Sequence, residues 1–462
     1  MGRGRISSWM GVVCALLAAA ATAGAAAGGW AQTRAPASGR TGVHEGVATC
    51  GGSTCHGRPA PSGLVVRQNE LITWQDSRGD AGAHSRAWRV LTQPRAEAIA
   101  TRLGIGRAET APACLSCHAD PAPAAQRGPR FQVSDGVGCE ACHGGAGAWM
   151  ASHYAVGATH AGNVARGLVA LDDPKIRAGR CLDCHLGGSA PNQFVSHQLM
   201  AAGHPRLYFE LDLFTALQRH HDVDADYIAR HKVAAGPVKT WAVGQALALD
   251  RTLTLFAPRS PGGVFPEFVF FDCQSCHRTF ASDDPKWRPV AEANPARPIP
   301  VGTPPFNDEN MIMLSAAAKV AAPGLAARFD DESRNFHVAL AKNGQVAAQQ
   351  AARLAGTSRA LAEAFAQRPF SRGDTLAIFE AVLSGETAKR YTDYAGAFQA
   401  VMAADTLLNA LVAEGAVDRG TLARVRPDLD RAYQAVRDPN AFRPAEARAA
   451  LQAAAGKVRG LK

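Results

Sequence analysis

Five cysteine–histidine motifs account for most of the chemistry that this sequence can perform. Four of them have two cysteines separated by two residues and a histidine directly after the second: Cys114, Cys117 and His118; Cys139, Cys142 and His143; Cys181, Cys184 and His185; Cys273, Cys276 and His277. A stretched version, Cys50, Cys55 and His56, has four residues between the thiols. This pattern predicts c-type haem, whose vinyl groups form thioethers with the two thiols while the imidazole takes one axial position on iron.

Zinc knuckles and redox dithiols also use paired cysteines. A zinc site needs no histidine directly after its second thiolate, and a redox dithiol would normally occur once, at a strand–helix junction. Neither explains a histidine that recurs at the same place in every motif. We therefore predict five haem c groups, or four if the Cys50/Cys55 site is not used, with His56, His118, His143, His185 and His277 as the proximal iron ligands.

The remaining cysteine and the N-terminus indicate export. Ten of the eleven cysteines lie in the motifs, and the eleventh, Cys14, lies in an apolar N-terminal run. That run follows two arginines and ends near Gly29-Trp30-Ala31, a small-x-small cleavage site, so residues 1–31 are predicted to be a signal peptide. An uncleaved N-terminal anchor is the alternative, and it would be the protein's one attachment to a membrane. Haem attachment needs an oxidising compartment, which points to the periplasm.

The basic net charge does not indicate nucleic-acid binding. The chain carries a formal charge of +9, and loss of Arg3 and Arg5 with the leader leaves +7. Five haems add ten propionates, which brings the total to about −3 with ferrous iron and about +2 with ferric iron. Much of the basic excess is therefore expected to neutralise cofactor, and no nucleic-acid partner is predicted.

The elements that must position these motifs are predicted to be mainly α-helical. Residues 32–43 are predicted to be a linker, 44–290 a multihaem cytochrome c domain with little regular sheet, 291–307 a proline-rich connector and 308–462 an alanine-rich α-helical bundle domain of about five helices. About fifty residues are available per haem, so haems rather than side chains are expected to form much of the core. Apolar spacing predicts helices at Pro94–Leu103, 198–218 and 241–256, and a helix N-cap at Gly373-Asp374. Strand signals are weak: residues 262–271 are the one aromatic-rich candidate, and Pro266 interrupts it.

Ten histidines lie outside the motifs, and nine of them fall in the haem region. A haem that only transfers electrons usually has a second histidine as its other axial ligand. Nine spare imidazoles among five irons therefore favour ligation over a purely structural role.

Several stretches resemble the cytochrome c-554 and c-prime family of multihaem cytochromes. They are the opening Cys50–Gly57; Trp74-Gln75-Asp76-Ser77 followed by His84-Ser85-Arg86-Ala87-Trp88; Gly136–Gly144; and His197 with Ala201–Leu207. The resemblance covers roughly residues 45–290. It implies a largely helical haem domain in which closely stacked haems pass electrons. The namesake carries four haems rather than five, and Gly144–Gly147 here replaces a frequent glycine-proline-glycine.

The resemblance implies that His84, His153, His197 and His204 are distal iron ligands. His160, His44 and His220 are the next candidates among the spare histidines. We expect the second imidazoles, burial and nearby charge, such as Arg206 or Arg278, to set the haem potentials.

Electron transfer between a donor and an acceptor protein in the periplasm is the favoured function. The alternative is a haem oxidoreductase that acts on a small nitrogen or sulfur oxyspecies at a five-coordinate haem. The sequence lacks the Cys-x-x-Cys-Lys motif of pentahaem nitrite reductases, which argues against that one enzyme type. The sequence identifies neither redox partner.

Overall fold

The computed structural model of the chain describes residues 42–60, 67–223, 225, 227, 235–259, 267–277, 297–298 and 304–459. The predicted leader, most of the linker and connector, and Cys14, His231 and Arg278 lie outside these residues. The structure is 65% helical and contains no strand among the described residues. Two isolated β-bridges, His44 to Arg127 and Phe271 to Phe306, are the extended pairings found there. The prediction of a mainly α fold is therefore confirmed.

The haem region is built from short helices joined by long loops. Its α-helices are Val47–Cys50, Glu70–Trp74, Pro94–Leu103, Pro112–His118, Cys139–His143, Met150–His153, His160–Val164, Pro174–Leu182, His197–Ala201 and Leu211–Leu217. Apolar clusters in this region are small; one consists of Leu91, Ala100 and Ala108. Helices this short are not stable on their own, so tertiary contacts must hold them.

The helix Pro94–Leu103 has the predicted bounds. Pro94 occupies the first turn, where its missing N–H is not needed, and Gly104 ends the helix in the left-handed conformation with φ 64°. The predicted helix at 198–218 is instead two short helices with a loop between them. Gly203 at φ 119° ends the first, and the Glu210 carboxylate begins the second by accepting from the backbone N–H groups of Asp212 and Leu213 at 2.9 and 2.7 Å.

The strand candidate at 262–271 is not a strand in its described part. Phe268–Phe270 is a single 3-10 turn, and residues 260–266 lie outside the described chain. Phe270 and Phe271 are buried, and Phe271 forms one β-bridge with Phe306. The aromatic residues therefore indicated burial in a core rather than membership of a sheet.

The C-terminal region is an alanine-rich helical assembly. Between residues 304 and 459 the helices are Glu309–Ala321, Pro323–Leu340, Gly344–Gln367, Arg372–Val382, Gly385–Ala388, Tyr394–Ala413, Arg419–Ala435 and Pro444–Arg459. These are eight helices, one of them a single turn, where the sequence pattern predicted about five. The N-cap near Gly373 is Ser371, which forms a reciprocal capping box with Asp374.

One long helix of the haem region is part of the C-terminal core. Pro237–Arg259 contains the helix predicted at 241–256, and Trp241 and Phe256 on it are fully buried. This helix packs along Gly344–Gln367, and a single apolar cluster runs from Val238 to Val458. The division of the chain into domains stays a prediction, but the side chains on the two sides of the proline-rich connector share one core.

Among the described residues one helix, Tyr394–Ala413, is long and apolar enough to span a membrane. Its most apolar window is 83% buried inside the protein. It contacts Glu309–Ala321, Arg372–Val382 and Arg419–Ala435, which explains its composition as that of a central core helix.

Candidate haem sites

Helical turns place the two thiols and the imidazole of each short motif on one side. The second motif lies in Pro112–His118, and the third forms the whole of Cys139–His143. The fourth spans the end of Pro174–Leu182 and a π-helical turn, and the fifth begins in the 3-10 turn Cys273–Ser275. Residues i, i+3 and i+4 share a helix face, so this local structure is what two thioethers and an axial histidine require.

The stretched first motif reaches the same arrangement by a tight turn. Cys50 ends the helix Val47–Cys50, and the N–H of His56 returns to donate to the Cys50 carbonyl at 3.1 Å. The N–H of Cys55 donates to the Gly52 carbonyl at 2.8 Å. Gly57 closes the turn so tightly that a Cβ on it would lie 2.2 Å from the Gly51 oxygen. The two extra residues are therefore taken up by the turn.

Each of the five motif histidines faces a second imidazole. The ring centroids are 6.2 Å apart for His56 and His153, 6.3 Å for His118 and His204, 6.0 Å for His185 and His84, and 6.1 Å for His277 and His197. His143 faces two neighbouring rings, His220 at 6.4 Å and His221 at 6.0 Å.

These separations fit an iron atom held between two imidazoles. A metal about 2.0 Å from each of two ring nitrogens places the ring centroids roughly 6.3 Å apart. Directly packed aromatic rings have centroids about 4.5–7 Å apart, so the separation is shared by both arrangements. What favours iron is the recurrence, because all five motif histidines have such an imidazole partner. The residues present therefore fit five haem c groups, each with two thiols and two axial histidines.

Hydrogen bonds fix the orientation of several of these rings. Nδ1 of His118 lies 2.9 Å from the Ala87 carbonyl oxygen, and Nδ1 of His204 lies 2.7 Å from that of Pro205. Nδ1 of His153 bonds the Met150 carbonyl in the same way. A carbonyl only accepts, so in these three rings Nδ1 carries the proton and Nε2 keeps the lone pair that a metal needs.

Burial keeps several of these imidazoles in the neutral form that binds metal. Desolvation, followed by the neighbouring imidazoles, lowers the pKa of His143 to about 3. Desolvation also lowers the pKa of His185 and that of His220 to about 4 each. A protonated imidazole has no free lone pair, so these low pKa values keep the rings available as ligands at neutral pH.

The other candidate ligands lie elsewhere. Nδ1 of His44 is 2.8 Å from Asp120, and Nε2 of His160 is 3.1 Å from Asp172 at the surface. Within the described chain neither ring is brought against a motif histidine. Five of the predicted distal ligands do face a motif histidine. They are His84, His153, His197, His204 and His220.

Three functional residues were not singled out from the sequence. His221 faces His143 beside His220, and the Glu70 carboxylate lies 3.1 Å from Nδ1 of His56 and 3.4 Å from Nδ1 of His221. Glu140, inside the third motif, accepts from the backbone N–H groups of Glu45, Gly46 and Ala146 at 2.7–2.8 Å. The tandem His220-His221 was the one signal in the sequence; the two carboxylates become recognisable through tertiary contacts alone.

Motifs lie next to one another in the fold. The helix Val47–Cys50 contacts Cys139–His143, and Pro112–His118 contacts the turn Asp183–Gly187. The Cys139 thiol, followed by burial, raises the pKa of Cys50, and the Cys117 thiol, followed by burial, raises the pKa of Cys184. Burial, and next the Cys142 thiol, raise the pKa of Cys181 to about 12. The first motif thus adjoins the third, the second adjoins the fourth, and the third lies near the fourth.

The fifth motif lies against buried charge from the C-terminal region. A guanidinium nitrogen of Arg206 is 3.2 Å from Cys273 Sγ, which agrees with the expected position of this charge beside a haem site. Asp272, next to Cys273, is buried, and desolvation followed by the charge of Asp393 raises its pKa. Arg297 lies nearby and pairs with Asp308 at 3.1 Å and with Asp393 at 2.6 Å.

Comparison with known proteins gives one match. Residues 49–144 match the family described as cytochrome c554 and c-prime, and this stretch contains the first three motifs. No curated protein and no solved structure matches the chain. The family carries covalently bound haem c and exchanges electrons with redox partner proteins. With the motifs and the matched residues together, the chain is similar over residues 49–144 to the cytochrome c554 and c-prime family, which supports a c-type cytochrome.

Proposed function

We propose that this protein is a periplasmic multihaem cytochrome c that transfers electrons between redox partner proteins through five covalently bound haems. The observation that carries the proposal is that each of the five motif histidines faces a second imidazole at a ring separation of 6.0–6.4 Å. A haem iron with two axial histidines has no open position for a substrate, which favours electron transfer over catalysis.

Haem c supplies a one-electron Fe(III)/Fe(II) couple when bound. The residues of the chain hold it in defined places. The ten motif cysteines, Cys50, Cys55, Cys114, Cys117, Cys139, Cys142, Cys181, Cys184, Cys273 and Cys276, would form the thioethers. His56, His118, His143, His185 and His277 would be the proximal ligands, and His153, His204, His84 and His197 four of the distal ones.

The positions of the motifs support a continuous series of haems. The helix of the first motif contacts that of the third, and the helix of the second contacts the turn of the fourth. The Cys142 thiol, after burial, raises the pKa of Cys181, which supports the third and fourth motifs as neighbours. His197, which faces the fifth motif, and His204, which faces the second, lie seven residues apart on one short helix and its following loop. These neighbours support the spatial order first, third, fourth, second and fifth.

Solvent exposure supports electron exchange at the two ends of this series. Of the ten motif cysteines, Cys55 in the first motif and Cys276 in the fifth are exposed, while the others are half-buried. Electron exchange requires a short distance between partners, so the end sites are where a donor and an acceptor protein would dock.

A haem count and a spin-state measurement test this proposal. The exported protein is expected to have the mass of the chain plus five haems, and Cys50→Ser with Cys55→Ser is expected to leave four. EPR of the oxidised protein should show low-spin haem throughout, with no carbon monoxide binding after reduction. A native mass that fits four haems would contradict the five-haem proposal. A high-spin signal that responds to added ligand would favour the alternative of a haem oxidoreductase acting on a small nitrogen or sulfur oxyspecies.

Single-histidine variants test the pairing of the ligands. His153→Ala, His84→Ala, His197→Ala and His204→Ala should each convert one haem to a high-spin, carbon monoxide-binding form. His160→Ala is the matched control, because His160 faces Asp172 rather than a motif histidine, and its EPR spectrum should be that of the unaltered protein. A low-spin spectrum in one of the four variants would refute the pairing at that motif.

A further inference from the structure

Two adjacent imidazoles compete for one position at the third motif. The rings of His220 and His221 lie 6.4 and 6.0 Å from the ring of His143, at interplanar angles of 81° and 82°. The two rings are 4.2 Å from each other, and their nitrogens and those of His143 form a group within 4.8 Å. Each of the other four motif histidines faces one such imidazole among the described residues.

Only one of the two can be bound at a time. A haem iron has six positions, of which the porphyrin takes four and His143 would take the fifth. Both His220 and His221 stand at a distance from His143 that fits an iron atom between the rings. When one of the two imidazoles is bound, the other therefore lies beside it without a bond to iron.

The hydrogen bonds of the two rings are compatible with a free Nε2 on each. Nδ1 of His221 lies 3.4 Å from a carboxylate oxygen of Glu70, and Nδ1 of His220 lies 3.1 Å from the backbone oxygen of Gln218. The Glu70 carboxylate accepts a hydrogen bond from Nδ1 of His221, which leaves the lone pair on Nε2. Nδ1 of His220 also lies 3.1 Å from the side-chain nitrogen of Gln218, which donates, so either tautomer of His220 has a hydrogen-bond partner. The lone pair on Nε2 qualifies His221 as a ligand, and it does the same for His220 in the tautomer that donates to the Gln218 backbone oxygen.

The local backbone allows the two rings to exchange. The helix Leu211–Leu217 ends before this segment, and Gln218 to Val223 follow a turn with no regular hydrogen-bonded structure. Both rings are only half-buried. Replacing one ring by the other moves an imidazole by about 4 Å. This movement needs rotation of side chains and a small backbone shift rather than the breaking of a helix.

We propose that His220 and His221 are interchangeable sixth ligands of the iron held by His143, so that the third site is a ligand switch that keeps six-coordination in either state. This inference rests on the proposal that Cys139, Cys142 and His143 hold a haem. The third site lies second in the spatial series, between the first and fourth motifs, so a change of ligand there would alter the haem potential at an interior point of the electron path.

Three variants of the complete exported protein test the switch. His220→Ala and His221→Ala are each expected to remain low-spin at all five haems and to bind no carbon monoxide when reduced. The double variant is expected to give one high-spin haem that binds carbon monoxide. His84→Ala is the reference, because His84 is the one imidazole found facing His185 in the described part of the chain, and its loss shows that the assay detects a single missing ligand.

The outcomes distinguish the switch from its underlying assumption. If either single variant becomes high-spin to the same extent as His84→Ala, that histidine is the sole ligand and the switch is refuted. If the double variant stays low-spin, neither histidine is a ligand and the proposal also fails. The mass of the peptide that contains Cys139 and Cys142 tests haem attachment independently of the ligand switch. A peptide without haem would refute the assignment of a haem to the third motif. A mass of five haems in the double variant shows that it has folded and matured.

Discussion

At the scale of single residues, a buried carboxylate organises the third motif. Glu140 is 3% exposed and receives three backbone N–H groups from two segments far apart in sequence. Hydrogen bonds to an ionised, buried carboxylate are stronger than neutral ones, and a buried N–H left without a partner is costly. Glu140 therefore joins the start of the haem region to its centre.

Glu140→Gln is expected to lower the free energy of unfolding by about 3 kcal/mol, because the amide keeps one acceptor oxygen and places an NH₂ group against backbone donors. Guanidinium unfolding followed by circular dichroism measures the change. Glu97→Gln on the exposed side of Pro94–Leu103 is the control, with an expected change below about 0.5 kcal/mol. Equal effects of the two variants would show that the Glu140 hydrogen bonds contribute little.

The sequence was sufficient for the residues whose chemistry is local. Two thiols and a histidine within five residues define a motif without knowledge of the fold, so the proximal histidines could be predicted directly. The imidazole that faces each of them could not be predicted from spacing, because His153 faces His56 and His84 faces His185 across long loops. Glu70 carries no local signal of function, and His221 carries only its place beside His220, so both became apparent through their contacts.

At the scale of elements, a buried acid begins one helix of the haem region. The Glu210 carboxylate caps Leu211–Leu217 and accepts from the Thr406 hydroxyl at 2.9 Å on the core helix Tyr394–Ala413. Desolvation, followed by the charge of Asp212, raises the pKa of Glu210 to about 7. The contact thus joins the two halves of the molecule through a group that titrates near neutral pH.

The raised pKa predicts a pH-dependent stability. Between the unfolded pKa near 4.5 and the folded pKa near 7, the folded protein binds more protons at Glu210 than the unfolded chain, so this group lowers stability as pH rises. Glu210→Gln cannot ionise, and the free energy of unfolding of the variant relative to the native protein should increase by up to about 3 kcal/mol from pH 4.5 to 7.5. Denaturant titrations at several pH values measure this difference. A difference that does not change with pH would contradict the raised pKa.

Close packing of Pro237–Arg259 against Leu211–Leu217 depends on one glycine. A Cβ on Gly244 would lie 2.5 Å from Leu211 Cβ, whereas one on Gly356, in Gly344–Gln367, would meet only the end of the Arg359 side chain at 3.9 Å. Gly244→Ala should therefore destabilise the protein by about 1–2 kcal/mol in spite of its better helix propensity. Gly356→Ala should stabilise it by up to about 1 kcal/mol. Thermal unfolding compares the two variants, and a shift in the same direction would refute the packing argument.

Helix boundaries followed the sequence where a cap was present. Pro94 and Gly104 predicted the bounds of one helix directly. The spacing of apolar residues predicted most of Pro237–Arg259. The region 198–218 has helical periodicity throughout but is interrupted, because Gly203 leaves the helical conformation and Glu210 caps a new start. Aromatic residues made 262–271 a weak strand candidate, because burial and β-propensity favour the same residue types.

At the scale of the whole molecule, the haem region and the C-terminal helices share a core. The apolar cluster contains Trp241 and Phe270 from one side of the proline-rich connector and Phe329 and Phe336 from the other. Such continuity could not be predicted from the sequence, since a proline-rich connector normally marks a boundary between independent units. The C-terminal region therefore covers an apolar face of the haem region.

A chain that ends at residue 290 is expected to associate or precipitate, because removal of the C-terminal helices would expose the apolar residues of Pro237–Arg259. Light scattering after size-exclusion chromatography measures this, with the full-length protein, which we expect to be monodisperse, as control. The fifth haem should also be lost or altered in the fragment, since Arg297, Asp308 and Asp393 lie near its motif. A soluble, monomeric fragment with five haems would show that the haem region folds independently.

The proximity of thiols of different motifs bears on how the protein is assembled. The Cys139 thiol raises the pKa of Cys50, and the Cys117 thiol raises that of Cys184, so the folded chain brings together sulfurs of separate motifs. In an oxidising compartment neighbouring thiols can form disulfides, which would block attachment at two motifs at once. On the proposed five-haem assignment, attachment at these four cysteines would have to precede or accompany final folding, and each thioether would remove a thiol that could otherwise cross-link the chain incorrectly.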